Sequence, residues 1–271
     1  MFKPFFREEN ILNREPFSGY EVQFNLLHYI IEGKELIALK TCDDNTIVLQ
    51  NPGHAMWLWV NEKLEKSKID EIINSLCGQL KDKKLCSISG KPEFVKIFAE
   101  KYSRILGVTN KMSLRMESYQ CQKIIKPKNV QGKLIKAQLS NMDIVKKFWV
   151  GFVFDCFGIN VTEEKQTTTV ESMIKFGNLY LWEVENKICG MVNIAHRSDR
   201  HARINNVYTP LEERKRGYAS AMVAELSSTL IKEGLTPMLY ADIKNCDSNK
   251  VYKTIGFVES GRIDNITFNY K

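Results

Sequence analysis

One segment, which predicts a strand, a loop and a helix in that order, carries most of the information in this sequence: Val207-Tyr208-Thr209-Pro210-Leu211-Glu212-Glu213-Arg214-Lys215-Arg216-Gly217-Tyr218-Ala219-Ser220. The helix that follows has apolar residues at the 3.6-residue period, namely Ala219, Met222, Val223, Leu226 and Leu230. The first turn of a helix has unpaired N–H groups and the positive end of the helix dipole, and both favour an anion. The segment therefore predicts a binding loop for a diphosphate.

The residue types in this loop fit such an anion. Gly217 removes the Cβ that would block a close approach, and Ala219 keeps the next position small. Arg214, Lys215 and Arg216 add positive charge. The alternative is that Gly217 is only a helix-entry glycine beside solvated basic residues. The two common glycine-rich nucleotide patterns, G-x-x-x-x-G-K-[ST] and G-x-G-x-x-G, are absent from the chain.

Two spaced motifs resemble the GNAT superfamily of acetyl-CoA-dependent N-acetyltransferases. Val207-Tyr208-Thr209 followed by Arg214-x-x-Gly217-x-Ala219 resembles motif A, and Asn245-x-x-Ser248-x-x-Val251-Tyr252-x-x-x-Gly256-Phe257 resembles motif B. Ser248 replaces the usual Ala. The resemblance covers about residues 131–271. It implies an α+β fold with a mixed, mostly antiparallel sheet and helices on both faces.

The resemblance also implies roles for individual residues. The backbone of Val207, Tyr208 and Thr209 would pair with the pantetheine arm of acetyl-CoA, where the strands 203–208 and 238–241 separate. The pyrophosphate would lie on the amides of Arg214, Lys215, Arg216, Gly217, Tyr218, Ala219 and Ser220. Asn245 and Ser248 would contact the cofactor, and Tyr252 would face its sulfur. Acetyl-CoA is thus the expected co-substrate.

Acyl transfer to an amine needs a proton donor for the thiolate and a base for the amine. Tyr252 is the predicted donor; the alternative is a tyrosine packed on the sheet with its hydroxyl in water. Relatives place a Glu on the fourth strand, but residues 203–207 contain no carboxylate. Glu183 and His196 are therefore the candidate bases, with a relayed water as the alternative. We expect no metal site, because His196 and His201 lack further ligands.

The polar stretch 124–132, with its Pro and Gly, predicts a linker and two domains, 1–128 and 131–271. The first half has a weaker resemblance, through Ile88-Ser89-Gly90-Lys91-Pro92-Glu93-Phe94, to GNAT proteins related to glycine N-acyltransferase, in which a degenerate GNAT-like half precedes the active one. It lacks the R-x-x-G-x-A loop. The chain is thus expected to be a tandem of two such halves, the first shaping the acceptor cleft or burying a sheet edge without holding CoA.

Hydrophobic periodicity predicts the elements along the chain. The predicted helices cover about 68–81, 92–105, 144–153, 164–176, 219–230 and 248–255. The predicted strands cover 36–39, 46–49, 56–60, 133–139, 179–184, 188–195, 203–208, 238–241, 257–263 and 266–270.

Composition excludes several classes of protein. The 271 residues are 44% hydrophobic and 26% charged, which is ordinary for a globular protein, and no apolar run reaches the roughly 18 residues that cross a bilayer. The net charge of +7 is spread over both halves and argues against nucleic acid. Seven scattered cysteines without a C-x-x-C pair indicate no disulfide framework, and a cytoplasmic location is expected by default.

Together these features predict an acyl-CoA N-acyltransferase that moves acetyl to a small-molecule amine or a peptide amino group by direct attack in a ternary complex. The alternative is a catalytically silent acyl-CoA-binding sensor or scaffold. The absence of a carboxylate from the strand 203–207 is consistent with this alternative. Acylation of aminoacyl-tRNA has poor support from the dispersed basic residues. The sequence fixes neither the acceptor nor the oligomeric state.

Overall fold

The computed structural model describes residues 1–270, which form twelve strands and eight α-helices. The strands are β1 (Phe2–Pro4), β2 (Ile37–Thr41), β3 (Thr46–Gln50), β4 (Met56–Val60), β5 (Ser87–Gly90), β6 (Thr109–Gln120), β7 (Lys133–Lys136), β8 (Leu179–Val184), β9 (Lys187–Arg197), β10 (His201–Tyr208), β11 (Thr236–Asp242) and β12 (Val258–Asn269). The helices are α1 (Glu21–Phe24), α2 (Leu26–Ile30), α3 (Lys66–Gln79), α4 (Pro92–Leu106), α5 (Met142–Phe157), α6 (Thr167–Lys175), α7 (Tyr218–Lys232) and α8 (Cys246–Thr254).

Most predicted elements are confirmed within a few residues, and two are wrong. The predicted strands 257–263 and 266–270 are one strand, β12, because its polar middle pairs in the sheet: Asp264 and Asn265 lie opposite Gly90 and Ser89 of β5. The predicted strand 133–139 ends at Lys136, after which a 3-10 turn leads into α5. Three strands, β1, β5 and β6, and the two short helices α1 and α2 were not predicted.

The chain divides into two compact units that are not contiguous in sequence. Unit 1 comprises 1–119, 240–245 and 259–271, and unit 2 comprises 120–239 and 246–258. The two domains expected at 1–128 and 131–271 stay a prediction about independently folding parts of the chain.

Unit 1 contains the strand order β1-β2-β3-β4-β5-β12-β6. β4 and β5 are parallel and are joined by α3, whereas β1 to β4 pair antiparallel in sequence and β5 pairs antiparallel with β12. β4 shows how the sheet supports helices on both faces. Leu58 lies in one apolar cluster, which also contains residues of α3 and α4, and the alternate residues Trp57 and Trp59 lie in another, with Phe24 and Leu27 of α1 and α2.

Unit 2 contains the strand order β11-β10-β9-β8-β7. Its pairs are antiparallel except for β10 and β11, which are parallel and are joined by α7. On one face Leu181 and Met191 pack with residues of α5 and α6. On the other face α7 approaches closely, since a Cβ on Gly190 would lie 3.3 Å from Met222 Cε. The predicted α+β fold, with helices on both faces of a mostly antiparallel sheet, is confirmed.

The two halves of the chain repeat one order of elements. The first half runs β4-α3-β5-α4-β6 and the second runs β10-α7-β11-α8-β12. In each case the first two strands are parallel and a helix crosses between them. This repeated order agrees with the predicted tandem.

We expect Phe98→Ala to lower the free energy of unfolding by roughly 3–5 kcal/mol, because it empties a fully buried ring site. Phe98 is 0% exposed and stacks on Tyr102 at 5.4 Å between ring centroids. The matched control on the same helix is Ile105→Ala, which removes an exposed side chain and should change stability by less than about 0.5 kcal/mol. Urea denaturation measures both, and equal effects would contradict this assignment of the core.

Candidate functional site

Strand β10 contains one extra residue before its end. Between Asn205 and Tyr208 it advances three residues while its partner β9 advances two, from Asn193 to Met191. Asn206, inside this bulge, has a left-handed backbone with φ 49°. Asn is among the few non-glycine residues that tolerate this region, so the sequence permits a bulge here. The bulge changes the direction of the chain just before the loop.

The parallel ladder between β10 and β11 is short. It runs from the His201–Thr236 pair to the Arg203–Met238 pair. β10 continues to Tyr208, so its last five residues lie beyond this ladder. Within the described residues, no residue of β11 pairs with residues 204–208 of β10 on the edge that faces away from β9. This is the separation of strands that the family resemblance implies, and it leaves backbone groups of β10 for another partner.

Left-handed residues shape the loop after β10. Leu211–Glu213 forms a 3-10 turn, Lys215 has φ 62°, and Gly217 has φ 82° as the cap of α7. A Cβ on Gly217 would lie 2.9 Å from Val130 Cγ2. Both the backbone conformation and the available space therefore require glycine at this position.

The loop and the first turn of α7 contain a run of backbone N–H groups that donate to no other part of the protein. The first helical hydrogen bond is donated by Ala221 N to Gly217 O at 3.0 Å. In the described part of the chain, no protein acceptor is assigned to the N–H groups of residues 215–220. Successive amides of this kind, with left-handed residues among them and at the N-terminus of a 15-residue helix, are an arrangement that can bind an anion.

The three basic side chains of the loop differ in their surroundings. Arg214 forms an ion pair with Asp155 of α5, and its Nε donates to Thr209 O at 2.9 Å. Arg216 lies 3.1 Å from Glu213. Lys215 is exposed, and among the described residues it forms no ion pair within 4 Å. The predicted positive charge of the loop is therefore offset locally at two of three positions, and the anion would meet chiefly amides and Lys215.

Glu213 connects the loop to the start of β9 through a buried carboxylate. Its side chain is 3% exposed and accepts a short hydrogen bond from Lys187 at the start of β9, in addition to the contact with Arg216. The hydrogen bond from Lys187 and the charge of Arg216 lower the pKa of Glu213 below its ordinary value of 4.5. An ionised carboxylate thus holds the loop against the neighbouring hairpin.

The side chain of Tyr208 packs between α5 and Arg214 of the loop, whose guanidinium carbon lies 5.9 Å from the centre of the Tyr208 ring. A Cβ on Gly151 of α5 would lie 2.1 Å from Tyr208 Oη, and the Tyr208 ring lies 5.8 Å from that of Phe148. Burial raises the pKa of Tyr208. Only its backbone is therefore positioned for the predicted pairing with a pantetheine arm.

The predicted motif B residues lie on and before α8. Tyr252 is 7% exposed, with its ring 6.0 Å from that of Phe257. Ser248 is half-buried in the first turn, and the N–H of the exposed Asn245 donates to Asp242 O at 3.0 Å. The phenol of Tyr252 is thus held in a largely dry environment.

The two predicted bases lie far apart. Glu183 on β8 is opposite Ile188 of β9, and His196 follows eight residues further along β9, or about 26 Å at ~3.3 Å per residue. Glu183 Oε1 is 2.9 Å from Lys133 Nζ. His196 Nδ1 accepts from the Nε of Arg203, the last β10 residue in the ladder with β11, at 3.3 Å. The two cannot serve one reaction centre, and only His196 lies where the strands separate.

Other features of the chain concern metals and membranes. The described residues contain no group of three or more His, Cys, Asp or Glu side chains able to surround a metal ion. None of the described helices combines the length and the apolar character needed to cross a bilayer.

Comparison with known proteins gives one family match. A model of the FR47-like protein family matches residues 184–264, a range that includes the loop before α7 and Tyr252. No curated protein sequence matches the chain.

Several solved structures share the fold over nearly the whole chain. A GCN5-related N-acetyltransferase from Kribbella flavida has a TM-score of 0.63 and 7% identity, with 95% of this chain and 98% of that chain covered. An acetyltransferase of the GNAT family from Colwellia psychrerythraea has a TM-score of 0.59, 12% identity and full coverage of both chains. A GCN5-related N-acetyltransferase from Sphaerobacter thermophilus has a TM-score of 0.60 and 12% identity, with 98% and 94% covered. These likenesses establish that the chain has the fold of GNAT acetyltransferases. The kinship with glycine N-acyltransferase stays a prediction.

We expect Glu213→Gln to lower the free energy of unfolding more at about pH 7 than at about pH 3. Because the folded-state pKa of Glu213 is depressed, its stabilisation is present above the unfolded pKa and is lost as the pH falls through the folded pKa. The matched control is Glu212→Gln, which removes a neighbouring exposed carboxylate and should show little pH-dependent difference. Chemical denaturation at both pH values measures the free energy of unfolding of each variant. The same pH dependence in both variants would show that Glu213 does not anchor the loop.

Proposed function

We propose that this chain is an acyl-CoA-dependent N-acyltransferase that moves acetyl from acetyl-CoA to a primary amine of a small molecule or peptide. The observation that carries the proposal is the run of amides over residues 215–220 that have no protein acceptor among the described residues, directly after a strand whose outer edge is free of its neighbour. The GNAT fold supports the same assignment.

A diphosphate fits the residues of the loop. Its oxygens would accept hydrogen bonds from the amides of residues 215–220, and the dipole of α7 would stabilise their charge. Gly217 permits the left-handed turn beside Val130, and the exposed Lys215 offers a charged donor next to it. The remaining predicted contacts, Tyr218, Ala219 and Ser220, would act through their backbones. Arg214 and Arg216 would support the loop rather than bind the anion directly.

The edge of β10 would bind the pantetheine arm as an added strand. Thr209 O already accepts from Arg214, and Thr209 Oγ1 lies 3.5 Å from the Cβ position of Gly190. The pairing would therefore fall mainly on the backbones of Val207 and Tyr208. Both lie beyond the last residue of the β10–β11 ladder.

Tyr252 would supply the proton for the departing thiolate. When bound, the cofactor supplies a thioester, which is attacked by an amine and releases a thiol. A phenol with an ordinary pKa of about 10 is a weaker acid than a thiol with a pKa of about 8.5, so this proton transfer is uphill by roughly 1.5 pKa units. Tyr252 would therefore act as a general acid whose proton moves as the C–S bond breaks, and solvent would return a proton to the phenolate.

His196 is the better of the two candidate bases. It lies beside Arg203, where the β10–β11 ladder ends, whereas Glu183 lies about 26 Å away along the sheet and is held by Lys133. We therefore place His196, directly or through a water, on the path of the amine proton, and we assign Glu183 a structural ion pair.

One observation favours a second function, a silent CoA-binding module. β10 carries no carboxylate over residues 203–207, where relatives of the resembled family place their base. Such a module would bind CoA through the same loop without releasing thiol.

The first half of the chain would not bind a diphosphate in this way. The segment before α3 contains Glu62 and Glu65, has no left-handed residue over 61–65, and leads into a helix capped by Glu65. It therefore lacks the left-handed residues and the glycine that shape the loop before α7. We propose a supporting role for this half.

We expect Gly217→Ala to weaken CoA binding at least tenfold, because the new Cβ intrudes on Val130 and disturbs the amides. The matched control is Gly234→Ala at the other end of α7: Gly234 also has a left-handed φ, of 80°, but a Cβ there meets nothing within 4 Å. Both variants carry about 1–2 kcal/mol of backbone strain, so a difference between them in calorimetric CoA affinity reports the loop alone. Equal affinities would remove the loop from the binding site.

We expect Tyr252→Phe to lower the rate of thiol release from acetyl-CoA about 100-fold, with CoA affinity changed little, because general acids contribute roughly 10²–10⁴ in rate. A panel of primary amines serves as acceptor, and Tyr29→Phe, on α2, is the control. An unchanged rate would remove Tyr252 from the reaction. CoA binding without thiol release in the wild type would favour the silent module.

A further inference from the structure

Unit 1 contains a surface pocket of about 390 Å³ that the proposed acyl transfer does not use. It lies between α4, β6 and β12, and residues from all three elements line it. All of these residues belong to unit 1, whereas the amide loop and Tyr252 belong to unit 2. The pocket is therefore a separate feature of the chain.

The most buried charged group of the pocket is Asp264. It lies on β12 opposite Gly90 of β5 and is 8% exposed. Among the described residues no donor is assigned to its carboxylate, and the nearest cation, Arg115 Nε, is 3.9 Å from Oδ2, beyond hydrogen-bond distance. Burial raises the pKa of Asp264. The charges of Arg115 and Arg262 act on this carboxylate, but among the described residues neither guanidinium is assigned a hydrogen bond to it. A ligand that donates to the carboxylate would supply that hydrogen bond.

The other residues of the pocket define the shape and charge of such a ligand. Met112 and Ile266 form an apolar wall. Glu93 and Glu100 on α4 add two carboxylates, of which Glu93 is paired with Lys91 at 3.1 Å, and Lys96 and Arg115 add two cations. The carboxylate of Asp264, which has no assigned hydrogen bond among the described residues, and the apolar wall beside it are therefore the features that a ligand with one charged donor group and an apolar body would fit.

We propose that this pocket binds a small organic ammonium ion, with Asp264 accepting hydrogen bonds from the ammonium group and Met112 and Ile266 contacting its alkyl part. A bare metal ion fits less well, because the described residues bring no three His, Cys, Asp or Glu side chains together. An ammonium ion instead brings its own three donors and needs only one well-placed carboxylate. The proposal does not depend on acyl transfer.

The test uses the full chain and three probes of similar size, the butylammonium ion, butan-1-ol and butanoate, in isothermal titration calorimetry. We expect butylammonium to bind at least tenfold more tightly than either of the others. Equal affinity for butan-1-ol or butanoate, or no binding of butylammonium, would overturn the proposal without any variant being made.

Asp264→Asn then tests the assigned carboxylate. This variant removes a carboxylate that has no assigned hydrogen bond and only a long ion pair with Arg115, so we expect it to fold with little change in thermal stability and to lose at least tenfold in butylammonium affinity. The matched control, Asp82→Asn, removes an exposed carboxylate of the same unit and should leave the affinity unchanged. Retained binding in Asp264→Asn would overturn the assignment.

Discussion

The left-handed backbone of Gly217, packed beside Val130, is the constraint on which the site depends. With φ 82° at this residue, the chain turns sharply from the loop into α7, and the amides on both sides of the turn have no protein acceptor among the described residues. The bulge at Asn206 acts at the other end of the same segment, because it redirects β10 beyond its ladder with β11. Two local backbone conformations thus shape both the proposed anion site and the strand edge next to it.

The charged side chains around the loop mainly stabilise its conformation and add little to the positive electrostatic potential at the loop. Arg214 is neutralised by Asp155, and Arg216 shares the buried Glu213 with Lys187. Affinity for an anion would then come mainly from fixed backbone dipoles at the start of α7, which require no rearrangement of long side chains. The basic residues of the motif therefore mainly stabilise the loop, whereas the sequence alone suggested that they bind the anion.

A structural feature could be predicted from the sequence where the residues that cause it lie close together in the chain. The helices α3 and α4 were predicted because their apolar residues follow the helical period within a single segment. The strand β6 was missed because its pairing partners lie far away in sequence and most of its residues are exposed or half-buried. Within the site, the contiguous loop was predictable, but the Arg214–Asp155 pair joins residues 59 apart, and no spacing rule indicates it. Asp264, in a polar stretch that resembles a turn, gave no signal at all.

The two halves of the chain share one order of elements but differ in the loop between the first strand and the crossover helix. Both halves contain a strand, a crossover helix and a parallel strand, yet of the two loops between strand and helix only the one before α7 has left-handed residues. In the corresponding segment before α3 the backbone is not left-handed over 61–65, and Glu62 forms an ion pair with Lys91. The same topology therefore has the loop conformation of the proposed anion site in one half only. The difference is set by a few loop residues rather than by the sheet, so this fold constrains where a site can form but not what it binds.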